Sequence, residues 1–294
     1  MFERFATGFH LARQSWDVLK TDKHLLVFPL LSGICCLFVL ASFAVPLLLS
    51  GVLEQVTQAG VDVAESGDSG EVAPPSNPIY WAGLFAFYFS NYFVIVFFNS
   101  ALIACAVKRF YGERPTISEG LSASMARLPQ IAGWAFVSAT VGIALRLIES
   151  RSERVGQFVV GLLGMGWSAV TFFVLPVLVI ERLGPIDAVK RSTQILKSSW
   201  GEALAGNSSI GFFSFLAMLP CIGLVVAGAV AAGNQMIVIG ITLVAIGSAG
   251  LLIVSLVSSA LSAIIQAAVY MYGASGQAPA AFDSSTLRAA FRRA

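Results

Sequence analysis

The residues with the widest chemical repertoire in this chain are four cysteines, two histidines, a glycine-rich GLLGMG run and two polar pairs set in apolar surroundings. Cys35, Cys36, Cys105 and Cys221 all fall within long apolar runs, adjacent or far apart, and with only His10 and His24 as further soft ligands they match neither a disulfide framework nor a metal site. They read as small apolar fillers. Gly161, Gly164 and Gly166 imitate a phosphate loop, but no Lys-Ser or Lys-Thr follows and no strand precedes, which excludes nucleotide binding on that pattern. Arg146, Arg151 and Arg154 interleave with Glu149 and Glu153; opposite charges at such spacing point to local pairing in preference to an ion or substrate site. Asn91 and Asn99, eight residues apart on one helical face beside Ser90, Tyr92 and Ser100, suit either a polar path or hydrogen bonds between helices, and the second is favoured. No acidic residue stands mid-span, which argues against a proton-coupled pump, and no nucleophile is positioned with a base. The expectation is a noncatalytic protein with no catalytic residue, cofactor or metal site.

The elements that position these groups follow from composition. With 57% apolar and 12% charged residues, the chain must use lipid as solvent. Six windows reach the roughly 20 apolar residues that a spanning helix requires: Leu25 to Leu49, Ile79 to Val107, Ile131 to Ile148, Val155 to Ile180, Leu204 to Ala231 and Met236 to Tyr272. Their apolar runs are continuous, not alternating, which excludes barrel strands. Pro176 and Pro220 lie well inside spans and should kink them. Gly240, Gly247, Ser255, Ser258, Ser262 and Gln266 form a small-residue seam suited to tight packing against a neighbour or a second subunit.

Lys and Arg alternate sides. Arg4, Arg13, Lys20 and Lys23 precede the first span, Lys108, Arg109, Arg114 and Arg127 follow the second, Arg182, Lys190, Arg191 and Lys197 follow the fourth, and Arg288, Arg292 and Arg293 close the chain. The 51–78 segment carries Glu54, Asp62, Glu65, Asp68 and Glu71 with no Lys or Arg. The positive-inside rule therefore predicts cytoplasmic termini and an acidic extracytoplasmic loop at 51–78. About twenty mixed residues precede the first span, so the start does not read as a cleavable signal. A net charge of +2 implies no nucleic-acid partner.

One charged phrase occurs twice. ARQSWDVLK, Ala12 to Lys20, aligns without gaps with VKRSTQILK, Val189 to Lys197, matching Ser15 with Ser192 and Lys20 with Lys197. In the first, Phe5, Phe9, Ala12, Trp16 and Leu19 form one stripe; in the second Ile186, Val189, Leu196 and Trp200 do, with cations largely opposite. Such helices lie in the membrane interface, with Arg13, Trp16, Lys20, Lys190, Arg191, Lys197 and Trp200 at the anionic head groups. A weaker third copy, Pro115 to Pro129, aligns Pro115 with Pro185 and Ser122 with Ser192, with Ile117, Leu121, Met125 and Leu128 as its apolar face. The expected fold is an all-α polytopic membrane helical bundle. It has six transmembrane helices and three cytoplasmic interfacial elbow helices, one before each odd-numbered span, and the pattern raises a threefold internal repeat. The whole chain, 1–294, forms a single membrane domain, with an amphipathic helix at 1–24 and a cytoplasmic tail at 273–294.

The stretch SWDVLKTDKHLLVFPLLSG, Ser15 to Gly33, resembles the opening of an uncharacterised family of bacterial six-span inner-membrane proteins, and DAVKRSTQILK, Asp187 to Lys197, is similar to a phrase in the membrane domain of glycerophosphodiester phosphodiesterases. The metal-binding carboxylates and histidines of the phosphodiesterase have no counterpart, so its activity is not carried over. The resemblance implies a fold and a place in the bacterial cytoplasmic membrane. The expected function is a noncatalytic scaffold, assembly or lipid-interacting membrane component, with membrane lipids, a second copy or another membrane protein as partners. The alternative is a transporter or channel for a small or lipid-like substrate.

Overall fold

Apolar runs become helices in lipid because each backbone N–H and C=O must find its partner within the element. A computed structural model of the chain describes residues 2–49, 78–149, 155–199, 202–275, 279 and 282. The helices are α1 (Phe2–Thr21), α2 (Val27–Leu49), α3 (Pro78–Phe110), α4 (Ile117–Met125), α5 (Leu128–Glu149), α6 (Val155–Val170), α7 (Val174–Ile180), α8 (Pro185–Ser199), α9 (Glu202–Gly233) and α10 (Ile237–Ser275), with a short 3₁₀ turn at Lys23–Leu26. Six helical stretches are long and apolar enough to span a membrane: Lys23–Pro46, Trp81–Phe110, Leu128–Ile148, Val159–Ile180, Gly211–Gly233 and Ile237–Ala274. The protein is an all-α membrane helical bundle.

Three short or peripheral helices, α1, α4 and α8, occupy the positions expected for the elbows, before the first, third and fifth spans. The buried core gathers where they meet the bundle. Leu11, Leu25, Phe28, Leu102, Ile103, Ile131, Phe173, Leu178, Leu196, Ile264 and Ile265 are fully buried there. Away from it, Leu37, Phe38, Phe215, Val238 and Leu252 are exposed. That distribution suits helices whose outer surface faces hydrocarbon.

The last two spans form a hairpin closed by hydrogen bonds from Met236 N–H to Ala231 C=O (3.0 Å) and from Gln235 N–H to Ala232 C=O (3.2 Å), with Gln235 in the left-handed region at φ 65°. Small residues set the spacing of this pair. A Cβ on Gly228 would lie 2.8 Å from the Gly240 carbonyl oxygen, and one on Gly247 2.8 Å from the Cys221 carbonyl oxygen. Ser214 and Ser258 share a hydrogen bond across the same interface. Gly240, Gly247 and Ser258 of the α10 seam thus pack on α9 of the same chain. Pro220 lies inside α9 without ending it.

The fourth span is broken. Thr171–Phe173 separate α6 from α7, and Pro176 lies in the first turn after the break. Proline has no N–H to offer the carbonyl four residues back, which is that of Phe172.

Candidate functional site

The elbow helices bring the polar groups together, and α8 does so most fully. Its buried face is Ala188, Ser192, Ile195 and Leu196, whereas Ile186, on the apolar stripe expected at the membrane interface, is 69% exposed. Of that stripe Leu196 packs into the bundle, and small residues, Ala188 and Ser192, complete the packed face. Ser192 is fully buried at the break of the fourth span. Its hydroxyl donates to the Val170 carbonyl at 2.6 Å and accepts from the Phe173 N–H at 3.1 Å. Gln266 Nε2 of α10 donates to the Phe172 carbonyl, the one orphaned by Pro176. Two side chains from outside the broken helix therefore satisfy the backbone groups that it releases, the condition for irregular backbone at membrane depth.

Below this splint, Arg191 Nε donates to both carboxylate oxygens of Glu181, at 2.9 and 3.1 Å, and the Tyr270 hydroxyl donates to the same carboxylate at 2.6 Å. The hydrogen bond to Glu181 holds the Arg191 guanidinium more firmly protonated than usual. Arg191, expected at the lipid head groups, is instead a tie between α8, the end of α7 and α10. Lys190 pairs with Asp187 at 3.3 Å and is exposed, as is Lys197. Trp200 lies outside the described residues.

The first elbow repeats the arrangement. Leu11, Ser15, Val18 and Leu19 are buried, while Arg13 and Lys20 are exposed. Trp16, expected at the membrane interface, is 37% exposed, and the Lys20 ammonium stands 5.4 Å from its ring centroid. The side chains of Phe5 and Phe9 lie outside those described. The matched positions Leu11 and Ala188, Ser15 and Ser192, Val18 and Ile195, and Leu19 and Leu196 are all buried, so the two phrases share an inner face as well as a spelling. Ser15 Oγ, however, is buried without a hydrogen-bond partner among the described residues. The elbow is anchored instead by an ion pair between Asp22 and Arg109 at 2.8 Å, in which the N–H is not aligned on the oxygen.

The third elbow, α4, begins with a capping box: Glu119 N–H donates to Thr116 Oγ1 and Thr116 N–H to Glu119 Oε2, both at 3.3 Å. Lys108 Nζ donates to the same carboxylate at 3.1 Å, and these contacts hold the Glu119 carboxyl below its usual range. Gly120 and Ser124 are buried, Ser122 is exposed and Met125 is 56% exposed. The alignment of Ser122 with Ser192 is therefore corrected by two residues: Ser124 takes the place of Ser192, and its hydroxyl donates to the Phe97 carbonyl at 3.0 Å. Met125, on the apolar face expected of this elbow, is exposed as Ile186 is on α8. At Gly120 a Cβ would fall 2.6 Å from Cys105 Sγ and 2.7 Å from Phe28 Cζ, so α4 sits too close to the bundle for a larger residue.

Elsewhere the polar candidates are separate. Asn91 Nδ2 donates to the Phe87 carbonyl of its own helix at 3.0 Å, and Asn99 is half-buried. Asn91 thus satisfies itself within α3 where a bond between helices was expected. Arg146 donates to the Tyr88 hydroxyl at 3.3 Å; Arg151, Glu153 and Arg154 lie outside the described residues. Glu181, Tyr270 and Asp22 were not singled out from sequence. An acid beside a basic cluster at the end of a span, as in Glu181-Arg182, is the signal that could have found the first of them.

The family model of a family of unknown function, DUF6159, matches residues 78–280. The chain belongs to that family. The match opens at the first residue of α3 and takes in two of the three elbows, α4 and α8, with the whole splint of Ser192 and Gln266. The stretch Ser15 to Gly33, on which the resemblance to an uncharacterised family rested, precedes it. Comparison with curated proteins gave no match. Comparison with solved structures gave none either.

Proposed function

We propose that this chain is a noncatalytic, lipid-interacting scaffold or assembly component of the bacterial cytoplasmic membrane, with the elbow end and both termini on the cytoplasmic side. The observation that carries the reading is the two-sided character of the elbows. Each buries small residues or serine against the bundle while apolar side chains such as Trp16, Met125 and Ile186 remain exposed on its flank. Arg13, Lys20, Lys190 and Lys197 are exposed on two of them, a pattern suited to helices at an anionic interface. Ser192, Gln266, Glu181, Arg191 and Tyr270 are engaged in hydrogen bonds that tie elements together, which suits a rigid platform. A reporter scan tests the orientation: tags near Glu119, Asp187 and Ala294 should read cytoplasmic and a tag at Gly67 extracytoplasmic. A tag at Asp187 that read extracytoplasmic would refute it. Mild-detergent purification followed by mass spectrometry of bound lipids and proteins tests the scaffold role, which a chain purified with neither would contradict.

The broken fourth span favours a second reading, a transporter or channel, since transporters place half-helices and freed backbone groups at their binding sites. Here the freed groups are taken by Ser192 and Gln266. Substrate-dependent flux in liposomes that changes in Ser192→Ala and Gln266→Leu variants would establish this reading over the first.

A further inference from the structure

Among the described residues, two arginines at the elbow end have no carboxylate within ion-pair distance. Arg127 directly precedes α5, and its Nη1 donates to the Ala123 carbonyl at 2.7 Å. Its Nε is buried and unpartnered, and among the described residues no carboxylate lies within ion-pair distance of it. Arg182 follows α7 in the left-handed region at φ 58°, a conformation that a non-glycine residue adopts at some cost. Its neighbour in sequence, Glu181, is engaged by Arg191 and Tyr270. The segments that carry the two arginines touch, for a Cβ on Gly133 of α5 would lie 2.9 Å from Pro185 Cγ. Burial, with repulsion from Arg182, holds the Arg127 guanidinium below its usual range, as expected of like charges brought together without an anion. One turn into α5, Gln130 Oε1 is buried and also without a partner.

We propose that Arg127 and Arg182, with Gln130, form a binding site for a phosphate group at the membrane surface. Guanidinium groups match the geometry of phosphate oxygens, and a phosphate between them would remove the repulsion while giving Arg127 Nε an acceptor. At the start of α5 Pro129 has no N–H and the Ile131 N–H is taken by the Arg127 carbonyl, so of its first four residues only Leu128 and Gln130 could add a backbone donor. The unpartnered Gln130 oxygen is an acceptor, not a donor. It calls for a hydroxyl or ammonium group beside the phosphate, a combination that glycerophospholipid head groups carry and inorganic phosphate can supply only when protonated. The site needs only that this end of the bundle lie at a membrane surface, so it stands independently of the scaffold reading.

The test compares wild type with R127Q/R182Q, each purified and reconstituted in phosphatidylcholine nanodiscs. Retained phosphatidylglycerol is titrated by native mass spectrometry, and inorganic phosphate is titrated in a parallel arm. A lipid source predicts preferential retention of phosphatidylglycerol, weakened about tenfold in the double variant, as expected for loss of charge-assisted hydrogen bonds. R114Q, which removes an exposed cation outside the cluster, should bind as wild type does. A soluble source predicts the same variant dependence in the phosphate arm alone. R127K/R182K keeps the charges and should recover part of the binding, which separates loss of the site from misfolding. Equal retention by wild type and R127Q/R182Q, or an equal loss in R114Q, would overturn the proposal.

Discussion

Replacing each elbow serine by alanine should produce three different outcomes from three residues of similar burial. Ser192→Ala removes a donor to Val170 C=O and an acceptor from Phe173 N–H, and it leaves both backbone groups at the break of the fourth span without partners. A net intramolecular hydrogen bond contributes about 0.5–1.5 kcal/mol, and side-chain hydrogen bonds in membrane bundles average about 0.6 kcal/mol, so losing two should cost about 1–3 kcal/mol. Ser124→Ala removes one bond, to a Phe97 carbonyl within the continuous helix α3, where the helical ladder already supplies a donor. That loss should cost about 0.5 kcal/mol. Ser15→Ala removes a buried hydroxyl with no partner, and should be neutral or stabilise by up to about 1 kcal/mol. Equilibrium unfolding of the purified variants in mixed micelles measures the order. A Ser15→Ala loss equal to that of Ser192→Ala, or a Ser192→Ala variant indistinguishable from wild type, would refute the splint.

Pro176→Ala restores an N–H that can reach the Phe172 carbonyl, so Gln266→Leu should destabilise the Pro176→Ala background less than the wild type, with a coupling of about 0.5–1.5 kcal/mol in a double-mutant cycle. Gly240→Ala gains about 1 kcal/mol of helix propensity but sets a Cβ 2.8 Å from backbone atoms of Gly228 and Ala232, and should show a lower melting temperature than wild type on thermal unfolding. Because the contacts of Glu119 hold its carboxyl below the usual range, its contribution to capping α4 is complete above the ordinary glutamate value, about pH 4.3, and is lost as pH falls through its lower folded value. Hydrogen-exchange protection of the first turn of α4, taken relative to the intrinsic amide rate at each pH, should therefore fall on acidification in wild type and lose that dependence in Glu119→Gln.

The fold was legible because apolar length is a strong signal: all six spans expected from the sequence appear, and the elbows lie where Pro115, Pro185 and the repeated phrase placed them. Which of their residues pack on the bundle was not. A stripe of large apolar residues says which side of an elbow suits hydrocarbon, and Ile186, Met125 and Trp16 stay exposed on it. Gly120, Ser124, Ala188 and Ser192 line the packed faces because they allow backbones to come close, and that preference shifted the third copy by two residues.

The polar cluster divides along the same boundary. Pro176 announced a disturbed fourth span from sequence alone, because proline removes a hydrogen-bond donor wherever it falls. That Ser192 and Gln266 would mend it, the latter from 94 residues away, depended on the docking of α8 and α10 against the break. Likewise the sequence determined that Lys and Arg gather in alternate connections, since charge placement needs no fold to be read. Only the tertiary structure decided which of them are engaged: Arg191 by Glu181 and Arg109 by Asp22, with no such carboxylate on Arg127 among the described residues. Pairing depends on distances of a few ångströms between elements far apart in the chain, and those are set by packing.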